Sequence, residues 1–177
     1  EEEMARVVPV ISALRQKTDA LISIDTYRAA TAQAAVEAGA HIINDVHGLQ
    51  REPEIAAVAA AAGAGLCIMH TGRGREKLAD PIADQRHFLG LSLDIAARAG
   101  VARETIVLDP GFGFAKETTE ENMELMIRFE ELHDFRLPIL AGTSRKQTSG
   151  HFCRAFVQLA EAGGIVGDGI AFERDRR

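Results

Sequence analysis

The sequence predicts an α/β fold, with a (β/α)8 barrel of the TIM type favoured over an open, doubly wound sheet. Three observations point there. Short apolar runs alternate with longer, Ala-rich amphipathic stretches, the pattern of strand-helix units. The runs are apolar nearly throughout rather than alternating, as strands covered on both faces by helices are. Each run also ends in polar, hydrogen-bonding residues. A barrel assembles its site from the C-terminal ends of all its strands, whereas a doubly wound sheet uses only the ends near its switch point.

Taken in order, a helix over about residues 2–16 is followed by five strand-helix units. The strands are expected at Leu21-Ile22-Ser23-Ile24, His41-Ile42-Ile43, Leu66-Cys67-Ile68-Met69, Thr105-Ile106-Val107-Leu108 and Leu137-Pro138-Ile139-Leu140. The helices that come after them are expected over about 28–38, 52–62, 84–99, 119–133 and 151–162. Gly39, Gly63 and Gly100 each stand just past a helix, where a left-handed residue ends it. A whole barrel needs eight units and about 250 residues, so five units in 177 residues read as a partial one. A first residue of Glu rather than Met suits a fragment.

Composition excludes several function classes. A net charge of −6 and a pI near 5.5 argue against a nucleic-acid binder, which carries a basic patch. No run approaches the ~18 consecutive apolar residues of a membrane span, and the Glu1-Glu2-Glu3 start is no signal peptide. Two cysteines, Cys67 in an apolar run and Cys153, have no metal-type spacing, which fits a reducing cytoplasm.

The chemistry should lie in the polar residues that close each strand. Asp25 could cap the next helix or face a site, and Asn44 and Asp45 could be closing a turn. His70 reads most simply as a hydrogen-bonded wall residue, with no partners at metal-ligand spacing. Asp109-Pro110-Gly111-Phe112-Gly113-Phe114 is more telling. Its glycines and proline make a stiff loop close to a ligand, and a turn without a function rarely carries two Phe at an exposed tip. Asp109 can accept two N–H bonds from the flat edge of a 2-aminopyrimidinone-like ring. Gly142-Thr143-Ser144-Arg145-Lys146 combines hydroxyls and cations in a cluster suited to an anion or a carbonyl-rich ring, or to a solvated basic turn. Neither segment has the spacing of a P-loop or a dinucleotide fingerprint.

Ser23-Ile24-Asp25-Thr26, Ile42-Ile43-Asn44-Asp45-Val46, Ile68-Met69-His70, Leu108-Asp109-Pro110-Gly111-Phe112-Gly113-Phe114 and Gly142-Thr143-Ser144-Arg145-Lys146, in that order, resemble the strand-end motifs of the dihydropteroate synthases. The resemblance places these at about strands 3 to 7 of the barrel. It implies a cytoplasmic transferase of folate biosynthesis and sulfonamide target, joining p-aminobenzoate to 6-hydroxymethyl-7,8-dihydropterin pyrophosphate with Mg2+. It further implies that Asp109 and Asn44 read the 2-amino edge of the pterin, Asp25 faces its other ring, Met69 packs against it and Lys146 donates to the 4-oxo group. Phe114 and Ser144, beside Arg145, would hold p-aminobenzoate, and Asp25 and Lys146 would be the catalytic pair. The family's usual assembly is a homodimer formed through helices of its C-terminal half.

The likeness runs over residues 1–146, with 147–177 expected to be a divergent tail, helical and then irregular. The family's Asn near magnesium and pyrophosphate would precede residue 1, so no metal ligand is expected in the chain, and its Arg-x-His-Asp motif is not found in the tail. The fragment is therefore expected to keep much of a pterin pocket, with turnover in question. Alternatives are a non-catalytic pterin-binding module and a corrinoid-linked pterin methyltransferase domain, against which the Gly-Phe-Gly-Phe loop and the Thr-Ser-Arg-Lys cluster argue.

Overall fold

The computed structural model describes residues 1–114 and 118–142. Helix α1 (Glu2–Arg15) leads into strand β1 (Ser23–Asp25), and then α2 (Ala29–Glu37), β2 (Ile42–Asp45), α3 (Glu54–Ala62), β3 (Gly65–Met69), α4 (Pro81–Arg98), β4 (Ile106–Asp109) and α5 (Thr119–Ile127) follow. All four strands are parallel and lie side by side in chain order, β1-β2-β3-β4. A doubly wound sheet must reverse its order at a switch point; these strands add in one direction, as in a barrel wall. The expected fifth strand is present as a single parallel bridge, Leu108 to Ile139, fixed by Leu108 N–H on Pro138 O at 3.0 Å and Leu140 N–H on Leu108 O at 2.8 Å.

Capping chemistry accounts for most helix boundaries. Asp80 accepts from Ala83 N–H at 2.6 Å with Pro81 in the first helical position, so α4 begins three residues before the expected start. Thr118 caps α5 in the same way, accepting from Glu121 N–H at 3.1 Å. Gly39, Gly63 and Gly100 adopt φ of +111°, +62° and +81°, as their places after α2, α3 and α4 require. The helix expected over 119–133 stops earlier: α5 ends at Ile127 and the chain continues as a 3₁₀ turn, Phe129–Phe135. There Arg128 pairs with Glu131 three residues on, a spacing that stacks in 3₁₀ geometry. The helix expected over 151–162 and the boundary expected at residue 146 lie outside the described residues.

The core occupies one face of the sheet. Ile24, Ile43, Leu66, Ile68, Ile106 and Leu108 pack against Ala32, Ala35, Ile55, Ala56, Ala59, Phe88, Leu89 and Ala96 of the helices. The alanines matter because a small side chain lets a helix approach the sheet closely. The apolar runs predict helices on both faces; among the described residues they cover this face alone, and the alternate residues of the strands point away from it. The runs are continuous because both the core and the base of the opposite face are apolar, with polar residues entering only at the strand ends. Phe112 belongs to a second apolar cluster with Ile82, Leu125, Met126 and Leu132.

Candidate functional site

The strand register gathers the predicted residues. Asp25 lies beside Asn44, Asn44 beside Cys67 and Cys67 beside Val107, one row across the sheet. Two residues further along, Met69 lies beside Asp109. Side chains alternate along a strand, so Asp25, Asn44, Met69 and Asp109 share the face opposite the helices, at the C-terminal ends of four strands. They are the last residues of their strands, or next to last, rather than residues beyond them.

Asn44 is the central element of the row. It hydrogen-bonds the Asp25 carboxylate, while its own Oδ1 is buried with no partner. A buried amide oxygen without a donor is costly unless a ligand supplies one. Burial at the strand end raises the Asp25 carboxyl above its ordinary range, and the bond from Asn44 opposes that. Asp25 does not cap α2: Thr26 Oγ1 accepts from Arg28 N–H at 3.2 Å and Glu52 from Ala29 N–H at 2.7 Å. Cys67 feels the same concentration of negative charge. Burial first, and then Asp109, Asp25 and Asp45, push its thiol up to about 12.

Asp45 takes the structural role. It is fully buried and accepts from His47 N–H at 2.8 Å and Leu49 N–H at 2.7 Å, closing a turn in which Gly48 and Leu49 both have positive φ. Burial raises its pKa while those two N–H groups lower it. His70 is likewise a wall residue, 2% exposed, with Nε2 2.9 Å from Asp84 Oδ2.

Around His70 lies a cluster that sequence reasoning missed. Arg75 grips Asp84 with both ends of its guanidinium, Nη1 to Oδ1 at 2.8 Å and Nη2 to Oδ2 at 2.5 Å, and stacks over Phe88 at 4.9 Å. Leu78 N–H also donates to Asp84, at 2.8 Å. Burial alone would raise the Asp84 carboxyl, but Arg75, the Leu78 amide and His70 outweigh it and hold it far below the ordinary range. This pins the loop between β3 and α4. Arg75 sits in an irregular, glycine-punctuated loop, so no periodicity marks it; the spaced arginines of Gly72-Arg73-Gly74-Arg75 were the available signal.

The loop after β4 is held as firmly. Asp109 Oδ1 accepts from Gly111 N–H at 2.7 Å, Gln85 donates to Pro110 O at 2.9 Å, and Asn122 Oδ1 accepts from Gly113 N–H at 2.9 Å. Gly111, at φ +65°, packs so closely on β3 that a Cβ would lie 2.2 Å from the His70 carbonyl oxygen. Only glycine fits there. The two phenylalanines divide: Phe112, expected at the tip, is buried and stacks on Phe129 at 6.1 Å between ring centres, while Phe114 stays half-buried with the Arg73 guanidinium 5.4 Å from its ring centre. The structure therefore brings together Asp25, Asn44, Met69 and Asp109, with Phe114 on the adjoining loop. Ser144, Arg145 and Lys146 lie outside the described residues.

Among the described residues, no three His, Cys, Asp or Glu side chains are grouped to hold a metal ion. Asp45 is engaged with backbone amides and Asp25 with Asn44, so this donor set does not fit magnesium. What the row suits is a flat, neutral ring: an apolar floor at Met69, carboxylates to accept N–H groups, and an amide with an open acceptor. No helix among the described residues is long and apolar enough to cross a membrane.

Known proteins are similar to this chain in sequence and fold. The family model described as pterin binding enzyme matches residues 1–169. The dihydropteroate synthase of Clostridium beijerinckii is 43% identical over 150 residues, which are 85% of this chain and 55% of that protein. A crystal structure of the Clostridium difficile dihydropteroate synthase, obtained in the presence of pteroic acid, superposes with a TM-score of 0.79 at 40% identity, covering 91% of this chain and 61% of that one. The Xanthomonas albilineans enzyme, solved with 4-aminobenzoic acid, gives a TM-score of 0.78 at 35% identity over 86% of this chain and 55% of its own. The chain thus spans about half the length of the curated relatives it matches.

Proposed function

The chain belongs to the pterin-binding enzyme family, and from that premise we propose that it forms the pterin-holding part of a dihydropteroate synthase. The reaction joins p-aminobenzoate to 6-hydroxymethyl-7,8-dihydropterin pyrophosphate. The observation that carries this reading is the buried, unpartnered Asn44 Oδ1 in one row with Asp25, on the face that also carries Asp109. The 2-amino-4-oxo edge of a pterin offers an N–H donor that Asn44 Oδ1 lacks, and discrimination is sharp when a site is built to pair every polar group of its ligand.

In the proposed reaction the amine nitrogen forms a bond to the pterin methylene carbon as the C–O bond to pyrophosphate breaks. The amine proton leaves with solvent or the departing pyrophosphate. Asp109 and Asn44 orient the ring edge, Asp25 faces the second ring, and Met69 supplies the floor. This orientation brings the methylene within reach of the amine, the larger part of what positioning can contribute. Phe114 borders the aromatic amine, with Ser144, Arg145 and Lys146 assigned beside it by family likeness. Magnesium, implied by the same likeness, serves the pyrophosphate in the family; the described residues do not supply its ligands, and no step is routed through it. A cytoplasmic setting agrees with the free thiol of Cys67, and a homodimer is the assembly the likeness implies.

Calorimetric titration with a dihydropterin pyrophosphate analogue tests the reading. Asn44→Leu should weaken binding at least tenfold, about 1.4 kcal/mol, and Asp109→Ala should abolish it. Equal affinity in wild type and both variants would overturn the assignment of this face.

A further inference from the structure

Beside the pterin row, the loops after β2 and β3 each carry an arginine that meets no carboxylate among the described residues, Arg51 and Arg73. The Arg51 guanidinium lies 4.2 Å from the Tyr27 ring centre and 3.5 Å from His47 Nε2, and Tyr27 meets His47 edge-on at 5.1 Å. Arg73 lies over Phe114 on the neighbouring loop. Among the described residues neither guanidinium meets a carboxylate, whereas Arg6, Arg75, Arg86 and Arg128 each do. Arg28, 5.8 Å from the same ring centre, is paired with Glu3. Asp45, the acid that acts on His47 among the described residues, is committed to two backbone amides.

We infer that Arg51, Arg73 and His47 form an oxyanion-receiving site on the rim of the pterin face, which takes the carboxylate or the phosphoryl end of an incoming substrate. This rests on the proposed function. Each arginine is held by its flat face on an aromatic ring, which leaves the N–H edges of the guanidinium available for a planar or tetrahedral oxyanion. Cations beside an imidazole disfavour its protonated form until an anion arrives to offset them. His47 registers their charge: burial, then Arg51, lower its pKa, Asp45 works against them, and Arg73 adds a smaller push downwards. In a chain of net charge −6, such a rim draws anions to a mouth that would otherwise repel them.

The experiment is an NMR pH titration of His47 in the full chain at constant ionic strength, with its signals assigned through His47→Gln. It is run without added anion, with sodium pyrophosphate and with p-aminobenzoate. Expected is a saturable rise of the His47 pKa by about one unit on anion binding, absent from Arg51→Gln/Arg73→Gln, whose His47 titrates higher from the outset. A response to pyrophosphate alone assigns the phosphoryl end, and a response to p-aminobenzoate alone assigns the carboxylate. No response to either in the wild-type chain overturns the site, and needs no variant to fold. A neutral pterin is titrated in the same samples: if it binds while no anion moves His47, this inference fails alone, and if it does not bind, the proposed function fails.

Discussion

The two faces of the sheet are made from alternate residues of the same strands, yet they do opposite things. On one, Ile24, Ile43, Leu66 and Ile68 meet helices rich in alanine, and the polar groups buried there, Asp45 and Ser92, are hydrogen-bonded. On the other, Asp25, Asn44 and Asp109 gather polar groups at the strand ends, and Asn44 Oδ1 is left buried without a donor. The carboxylates divide in the same sense. Asp84, clamped by Arg75 behind the wall, is held far below its usual range, while Asp25 at the mouth is raised above it. A satisfied group stabilises the fold, and an unsatisfied one waits for a ligand.

The sharpest way to break that contrast is on the packed face. Ile68 is fully buried, so Ile68→Ala should lower the unfolding free energy by about 2–5 kcal/mol, seen as a fall in the urea midpoint with little change in slope. Next comes Asp84→Asn, which leaves Arg75 without its counter-ion. Breaking a buried pair typically costs about 3–5 kcal/mol, and the partial solvent contact of Arg75 puts the expected loss at the low end. The sign with pH is set by the depressed folded-state pKa. The stabilisation is fully present above the unfolded carboxylate value, near 4, and is lost as pH falls through the folded one, so the variant should lose most of the acid-dependent slope between about pH 4 and lower values.

On the open face the effects on stability shrink. Asn44→Leu removes a buried unsatisfied acceptor and should leave thermal stability unchanged or slightly raised while pterin binding is lost; a loss of stability like that of Ile68→Ala would erase the distinction between the faces. Asp25→Asn should have the smallest effect. Because the folded-state pKa is raised, the charged carboxylate is mildly destabilising above it, so the variant gains a little stability near neutral pH. That gain should vanish as pH falls and both forms become neutral, as parallel melting curves in neutral and acidic buffer would show.

Much of this was readable from the chain because strands and polar strand ends are local signals. Asp25, Asn44 and Asp109 were identifiable from the residues that close each apolar run and Met69 from the family resemblance, and their sharing of one face comes from the period of two. The register was not readable: that Asn44 sits between Asp25 and Cys67 depends on how strands align, which no single segment encodes. Arg75 and Asp84 were missed because their pairing joins an irregular loop to the first turn of a helix, where an acid is expected anyway. Phe112 was misread because a phenylalanine between two glycines looks the same in sequence whether it turns out to solvent or in beneath α4 and α5.

Cys67 gives the molecule a clock. Its thiol is 6% exposed and its pKa is pushed up to about 12, so at ordinary pH it is both shielded and almost wholly protonated, and an alkylating reagent meets only an inert sulfur. Modification has to wait for β3 to separate from its neighbours. In a Cys153→Ser background, the labelling rate of this one sulfur would count how often the sheet breathes, and an occupied mouth would slow the count.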